Sequence, residues 1–114
     1  MLVVLGEIWV SEGCEQEYLA LAEGLREAVS GIDGFISMER FTSVSEAGKI
    51  MSVSYWRDEE AVVEFRNLPA NRVAETRARE ALFRDYRVLV TDVIRDYGFR
   101  QREEAPADSR AVHG

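Results

Sequence analysis

The segment from Gly48 to Asn67 most constrains the fold, because it is typical of a strand that passes directly into a helix. Its first half ends in Tyr55-Trp56 and is rich in the β-branched and aromatic side chains that a pleated surface favours. Asp58 then stands where a helix N-cap is expected. Two glutamates follow it in the first turn, where negative charge suits the helix dipole. The pattern predicts a strand that ends at Trp56 and a helix that begins after Asp58.

The rest of the chain supplies three further strands and two further helical stretches. Apolar residues at three- and four-residue spacing predict an amphipathic helix over Cys14–Val29. Pro69 predicts the start of another short helix, through about Glu80. Apolar and β-branched runs predict strands at Leu2–Val10, Phe35–Thr42 and Tyr86–Asp96. The order predicts an α+β, ferredoxin-like βαββαβ domain with a four-stranded antiparallel sheet and helices on one face.

Composition changes sharply after Tyr97. We therefore predict a single domain over residues 1–97 and a disordered C-terminal tail over residues 98–114. Several strands of the domain have large apolar side chains on both faces, and one layer of helices covers only one face. Because monomers seldom expose such a patch, we predict a homodimer in which two sheets pack face to face.

Charge and cysteine content exclude several classes of function. The net charge of −7 argues against a nucleic-acid partner, since phosphate backbones are bound by clustered Lys and Arg. No apolar run approaches the roughly 18 residues of a membrane span, which predicts no membrane partner. Cys14 is the one cysteine, which fits a reducing compartment, so a cytoplasmic location is expected. His113 is the one histidine and falls in the predicted tail, so no metal site is predicted.

Several segments together resemble a known family. They are Gly34–Phe41, Gly48–Ala61, Phe65–Asn67 with Arg72 following, Phe83–Arg87 and Val93–Tyr97. In these segments the chain resembles the antibiotic biosynthesis monooxygenase (ABM) domain, a family of small dimeric α/β-barrel proteins, and the likeness spans residues 2–97.

The haem-degrading branch of this family implies three residues that the chain lacks. That branch uses an Asn on the first strand, a Trp in the helix after the third strand, and a His beyond it as the iron ligand. The matching positions here hold Gly6, Phe65 and Glu75. A carboxylate is a poor replacement for imidazole on haem iron, so haem degradation is disfavoured. Related members have His where Asn71 stands.

The quinone-forming branch is more compatible, and its chemistry needs no cofactor. The resemblance implies a monooxygenase that oxidises a hydrophobic phenolic or polycyclic molecule with O2 in an apolar slot with a few polar groups. The alternative is a non-catalytic protein that binds a small molecule in the same slot. The candidate catalytic residues are Tyr86, Arg72 and Asn71, and the candidate substrate-binding residues are Trp56, Phe65, Asn67 and Tyr55.

Each candidate also has a purely structural interpretation. The core is the commoner place for Trp56 and Phe65, and Asn67 and Asn71 are compatible with helix caps. Tyr86 is equally compatible with an anchor at the start of the last strand. Arg72 belongs to a cluster of arginines that extends to residue 87. That cluster is compatible with a solvated helix face paired with neighbouring acids, or with groups that orient an anionic or phenolic ligand.

Overall fold

A computed structural model describes all 114 residues, Met1–Gly114. One antiparallel sheet organises the chain, with its four strands in the order β2-β3-β1-β4. This confirms the predicted ferredoxin-like α+β arrangement. No helix has the length and apolar character needed to cross a membrane. The elements are β1 (Leu2–Val10), α1 (Glu15–Glu23), α2 (Arg26–Ser30), β2 (Phe35–Thr42), β3 (Lys49–Trp56), α3 (Glu59–Arg66), α4 (Pro69–Arg77), a π-helical segment (Ala78–Leu82), β4 (Phe83–Asp92) and α5 (Ala107–His113).

The sheet has two faces, because successive side chains along each strand point to opposite sides. The register of the strands shows which residues share a face. Ile8 of β1 lies between Ile50 of β3 and Tyr86 of β4. Ile8 and Ile50 pack against α1, so the helices cover the face that holds them. We call this the cavity face. The other, which we call the outer face, holds the alternate residues, including the half-buried or exposed Val3, Leu5, Trp9, Phe41, Met51, Val53, Tyr55 and Leu89.

The buried core consists of two separate clusters on the cavity face. The first joins the ends of β1 and β3 to α1 and the π-helical segment, through Ile8, Val10, Tyr18, Ala22, Ile50, Ala78 and Leu82. The second joins the opposite end of β3 to α2 and α3, through Val29, Ile32, Trp56, Ala61 and Val62. The middle of the sheet lies between them.

The strand-to-helix corner forms as the sequence predicts. The Oδ1 of Asp58 accepts a hydrogen bond from the Ala61 amide at 3.0 Å, which makes Asp58 the N-cap of α3. Arg57 donates to the carboxylates of both Asp58 and Asp33. Its guanidinium, followed by the Ala61 amide, lowers the pKa of Asp58. Charge and capping together fix the angle at which the chain leaves the sheet.

Two predicted elements have different bounds. The helix predicted over Cys14–Val29 is divided into α1 and α2 at Gly24, where the Leu25 amide bonds to the Ala22 carbonyl in a tightened turn. The last strand was predicted at Tyr86–Asp96 but occupies Phe83–Asp92. It stops there because its partner β1 begins at Leu2, which pairs with Asp92, and a single further bond follows, from the Val93 amide to the Met1 carbonyl.

The C-terminal segment extends away from the sheet. Residues 98–114, predicted to be disordered, include the short helix α5, and Arg102 donates to the Gly98 carbonyl and to Ser109. The radius of gyration is 16.6 Å. A compact chain of this length has about 13 Å. The division of the domain at residue 97 stays a prediction.

Candidate functional site

A cavity of about 450 Å³ lies between the middle of the cavity face and the helices. That volume falls within the roughly 300–1,000 Å³ of small-molecule sites. Of the 23 residues that line it, 14 are hydrophobic. The floor is formed by strand residues and the walls by α1, the turn between α1 and α2, α3 and α4. The floor includes Val4, Gly6, Ser52, Val88 and Val90, and the walls include Leu21, Leu25, Phe65, Asn71 and Ala74.

The floor is open because small residues meet in its central row. Gly6 lies opposite Ser52 on one side and Val88 on the other. A Cβ atom on Gly6 would lie 2.6 Å from the Ser52 Oγ, so the serine hydroxyl occupies the space that a side chain would need. In the neighbouring row Ile8 and Ile50 fill the equivalent space and join the core. The cavity therefore follows from the size of two residues placed side by side by strand register.

Four of the seven predicted site residues line this cavity: Phe65, Asn71, Arg72 and Tyr86. Asn71 lies within α4, whose N-cap is Leu68, so Asn71 is not the cap of that helix. Arg72 does not pair with Glu75, because its guanidinium donates to Asn67.

The other three predicted residues lie elsewhere. Trp56 is fully buried in the second core cluster, with its ring against Phe65 and its Nε1 donating to the Ser54 Oγ at 2.8 Å. Trp56 is therefore a core residue, which is the structural alternative considered for it in the sequence analysis. Tyr55 points to the outer face and is 37% exposed. Asn67 ends α3 and positions Arg72 from outside the cavity.

Tyr86 stands at the mouth of the cavity with its hydroxyl oriented by a neighbouring arginine. The Arg79 Nη1 lies 2.5 Å from the Tyr86 hydroxyl oxygen, and the guanidinium carbon lies 5.4 Å from the ring centroid. A guanidinium has only donors, so the tyrosine oxygen is the acceptor. The hydroxyl proton of Tyr86 is left free to donate to a ligand oxygen.

Arg72, which also lines the cavity, is oriented by a neighbouring asparagine. Its Nη2 donates to the Asn67 Oδ1 at 2.7 Å, while the Asn67 amide nitrogen donates to the Val63 carbonyl at 3.0 Å. The asparagine thus connects the end of α3 to the guanidinium on α4. The remaining N–H groups of Arg72 are available to an oxygen-bearing ligand.

Sequence reasoning missed the polar groups of the floor. Arg40, half-buried on β2, and Ser52 on β3 are register partners, and Arg40 donates through Nε to the Tyr18 hydroxyl at 3.3 Å. All three residues line the cavity. One signal was present. Arg40 is two residues after Met38 and so lies on the same face of β2, the face that packs against helices, where a cation is unusual.

The outer face directly behind the cavity holds a buried carboxylate. Glu7 accepts hydrogen bonds from Arg87 and lies 3.3 Å from the Lys49 ammonium. The Arg87 guanidinium, opposed by burial and assisted by Lys49, lowers the pKa of Glu7. This ion pair accounts for two of the charged residues that border the cavity.

No three His, Cys, Asp or Glu side chains come together in a way that could hold a metal ion. Three positions match those of the functional residues in the haem-degrading branch, and all three line the cavity: Gly6, Phe65 and Glu75. None of them supplies an imidazole. The donors at the site are therefore guanidinium, hydroxyl and amide groups, which bind organic oxygen atoms.

Comparisons with known proteins identify the family of the chain. A family model described as antibiotic biosynthesis monooxygenase matches residues 1–77. Jasmonate monooxygenase ABM of Pyricularia oryzae is 38% identical over 76 residues, which are 67% of this chain and 35% of that protein. The chain thus spans about a third of that relative's length.

Solved structures show the same fold. Rv0793 from Mycobacterium tuberculosis superposes with a TM-score of 0.76 at 18% identity, covering 85% of this chain and 98% of its own. A crystal structure of an antibiotic biosynthesis monooxygenase gives 0.73 at 16% identity, covering 82% and 99%. The family model covers more than half of the sequence, and the chain belongs to the antibiotic biosynthesis monooxygenase family.

Proposed function

We propose that this protein is a cofactor-independent monooxygenase that oxidises a hydrophobic phenolic or polycyclic molecule with O2, as a cytoplasmic homodimer. The observation that carries the proposal is the apolar cavity, bordered by the oriented hydroxyl of Tyr86 and the oriented guanidinium of Arg72. Membership of the antibiotic biosynthesis monooxygenase family supports it.

The chemistry requires a site that holds an oxyanion in an apolar surrounding. A phenolic substrate loses a proton to water, its carbanion-like ring carbon attacks O2, and the peroxide takes up a proton from water to form a hydroperoxide. The hydroperoxide eliminates water and leaves a quinone carbonyl, so one oxygen atom enters the product and the other leaves as water. In this proposal Tyr86 and Arg72 donate hydrogen bonds to the substrate oxyanion, Asn71 assists them, and Phe65 packs against the ring.

The second candidate is a non-catalytic protein that binds a small apolar molecule in the same cavity. Its support is the absence of an imidazole among the lining residues, where Asn71 and Glu75 stand. Haem degradation remains disfavoured on the same ground, since Glu75 occupies the position of the iron ligand.

The oxygenase proposal is tested by incubating the protein with anthrones, hydroquinones and jasmonate under 18O2 and under nitrogen. Jasmonate is included because the Pyricularia oryzae relative is named for it. We expect one 18O atom in the product under oxygen and no product under nitrogen. Tyr86→Phe and Arg72→Ala should lower kcat by about 10- to 100-fold, whereas Arg95→Ala, outside the cavity, should not. Binding without any oxygen-dependent product would favour the non-catalytic candidate.

The homodimer is supported by the apolar outer face. Phe41 and Tyr55 are 48% and 37% exposed there, beside half-buried apolar residues of β1, β3 and β4. A second copy of the same face would cover them in an isologous interface. We expect sedimentation equilibrium to give twice the mass of one chain and the double variant Phe41→Lys, Tyr55→Lys to shift it toward one. If the unsubstituted protein has the mass of one chain at all concentrations, the proposed homodimer is refuted.

A further inference from the structure

We infer that the cavity binds a molecule whose apolar body bears a carboxylate, and that Arg40 on the floor is the residue that recognises it. This inference rests on the proposed function only in taking the cavity as the substrate site. It adds a chemical group to the substrate and a specificity-determining residue that lies apart from Tyr86 and Arg72.

Arg40 is a cation without an acidic partner inside an apolar site. Its side chain makes no ion pair, and its hydrogen bond runs through Nε to the Tyr18 hydroxyl. Arg57, Arg77 and Arg87 differ, since each of these three pairs with a carboxylate. Both Nη groups of Arg40 remain unused. A half-buried guanidinium with a free pair of N–H groups matches the two oxygens of a carboxylate.

Arg40 lies on the floor of the site at its β2 edge. It lines the main cavity and also a second cavity of about 390 Å³ beside it, and the two share Ala22, Leu25 and Phe65. Its Nε bond to Tyr18 fixes the guanidinium to α1, the helix that roofs this side. The fork is therefore held by protein contacts before any ligand arrives, which limits the entropy lost on binding.

Neighbouring hydroxyls complete the recognition site. The Ser52 hydroxyl is in register with Arg40 and lines the same cavity. The Tyr18 oxygen accepts from Arg40, which leaves its proton free as a donor. A carboxylate on Arg40 would thus meet further donors while the rest of the molecule lies over Gly6, where the floor is open.

The charge of the lining favours an anion. Arg40, Arg66 and Arg72 line the cavity with Glu75, and none of these four forms an ion pair. The excess of positive charge stands in a chain whose net charge is −7. Arg40 and Tyr86 lie on the two edge strands, which are three strand spacings or about 14 Å apart. A carboxylate at Arg40 therefore leaves the apolar body to extend toward Tyr86.

The test is binding without turnover. Isothermal titration calorimetry under nitrogen compares 1-naphthylacetate with its neutral isostere 1-naphthylacetamide. We expect the acid to bind at least about tenfold more tightly, and Arg40→Gln to weaken acid binding by about 10- to 100-fold while amide binding is unchanged. Arg40→Lys should restore part of the preference. Arg95→Gln, an equal loss of charge on the exposed segment after β4, should change neither affinity.

Equal affinity for acid and amide, binding of neither probe, or an Arg40→Gln variant that keeps the preference would overturn the inference. If Arg40→Gln fails to fold, the preference of the unsubstituted protein and the Arg40→Lys variant still decide it. The binding test and the oxygenase test can give different answers. Acid-selective binding without oxygenation supports this inference alone. Oxygenation of neutral polyphenols with no acid preference overturns it and leaves the oxygenase proposal standing.

Discussion

The ends and the middle of the cavity face share the same strands but are packed in opposite ways. At one end Ile8, Ile50 and Leu82 are buried among α1 and the π-helical segment, and at the other Trp56 is closed in by Phe35 and Phe65. Between them the rows that contain Gly6 and Ser52 leave an open volume. The comparison shows that the cavity is a property of side-chain size at given register positions, and does not require a change in the backbone of the sheet.

The packed end around Trp56 should show the largest response to substitution. Trp56→Ala removes a fully buried ring and should lower the free energy of unfolding by about 3–5 kcal/mol, measured by urea denaturation. Phe99→Ala removes a ring that is 92% exposed and should change it by less than about 0.5 kcal/mol. Similar losses in the two variants would mean that the second core cluster is not a packed core.

The hollow middle should tolerate added volume. Ser52→Leu would place a larger side chain over Gly6, and we expect it to weaken binding of 1-naphthylacetamide by about 30-fold, or about 2 kcal/mol. The neutral probe separates filling of the cavity from loss of charge recognition. Thermal unfolding should show little loss of stability, because the new side chain enters empty space. Ser45→Leu, on the exposed hairpin loop, is the control. Unchanged binding by Ser52→Leu would place the ligand elsewhere.

A smaller effect is expected at the corner that leads from β3 into α3. Asp58→Ala removes the cap and should destabilise the protein by about 1 kcal/mol, as measured by chemical denaturation. Asp58→Asn retains a capping oxygen and should recover most of the loss in the same measurement. A full loss in Asp58→Asn would instead assign the effect to the ion pair with Arg57.

The smallest effect concerns Glu7, behind the cavity. Its pKa is lowered in the folded protein, chiefly by Arg87, so its ion pair stabilises the fold above its ordinary pKa of 4.5. That contribution is lost as the pH falls from 4.5 through the lowered value, because the unfolded chain takes up the proton first. Stability between pH 6 and about pH 3 should fall less steeply in Glu7→Gln than in the unsubstituted protein. Parallel curves would contradict the assignment.

Signals that depend on neighbouring residues were readable from the sequence, and signals that depend on pairing were not. The cap at Asp58 and the strand that ends at Trp56 are local, and both were predicted correctly. The end of β4 depends on its register with β1, which no local pattern reveals. The role of Gly6 and Ser52 likewise requires knowing that they are opposite each other. The role of Arg40 was also unpredictable from its neighbours, since its guanidinium is oriented by the Tyr18 hydroxyl on another element.

The π-helical segment Ala78–Leu82 sets which side chains of the last strand reach the cavity. A π turn accommodates one residue more than an α turn before the chain enters β4. Successive residues of a strand point to opposite faces of the sheet. The extra residue of the π turn therefore decides which face each residue of β4 points to. Deleting it would turn Tyr86 to the outer face and place Arg87, which now pairs with Glu7, in its position at the entrance.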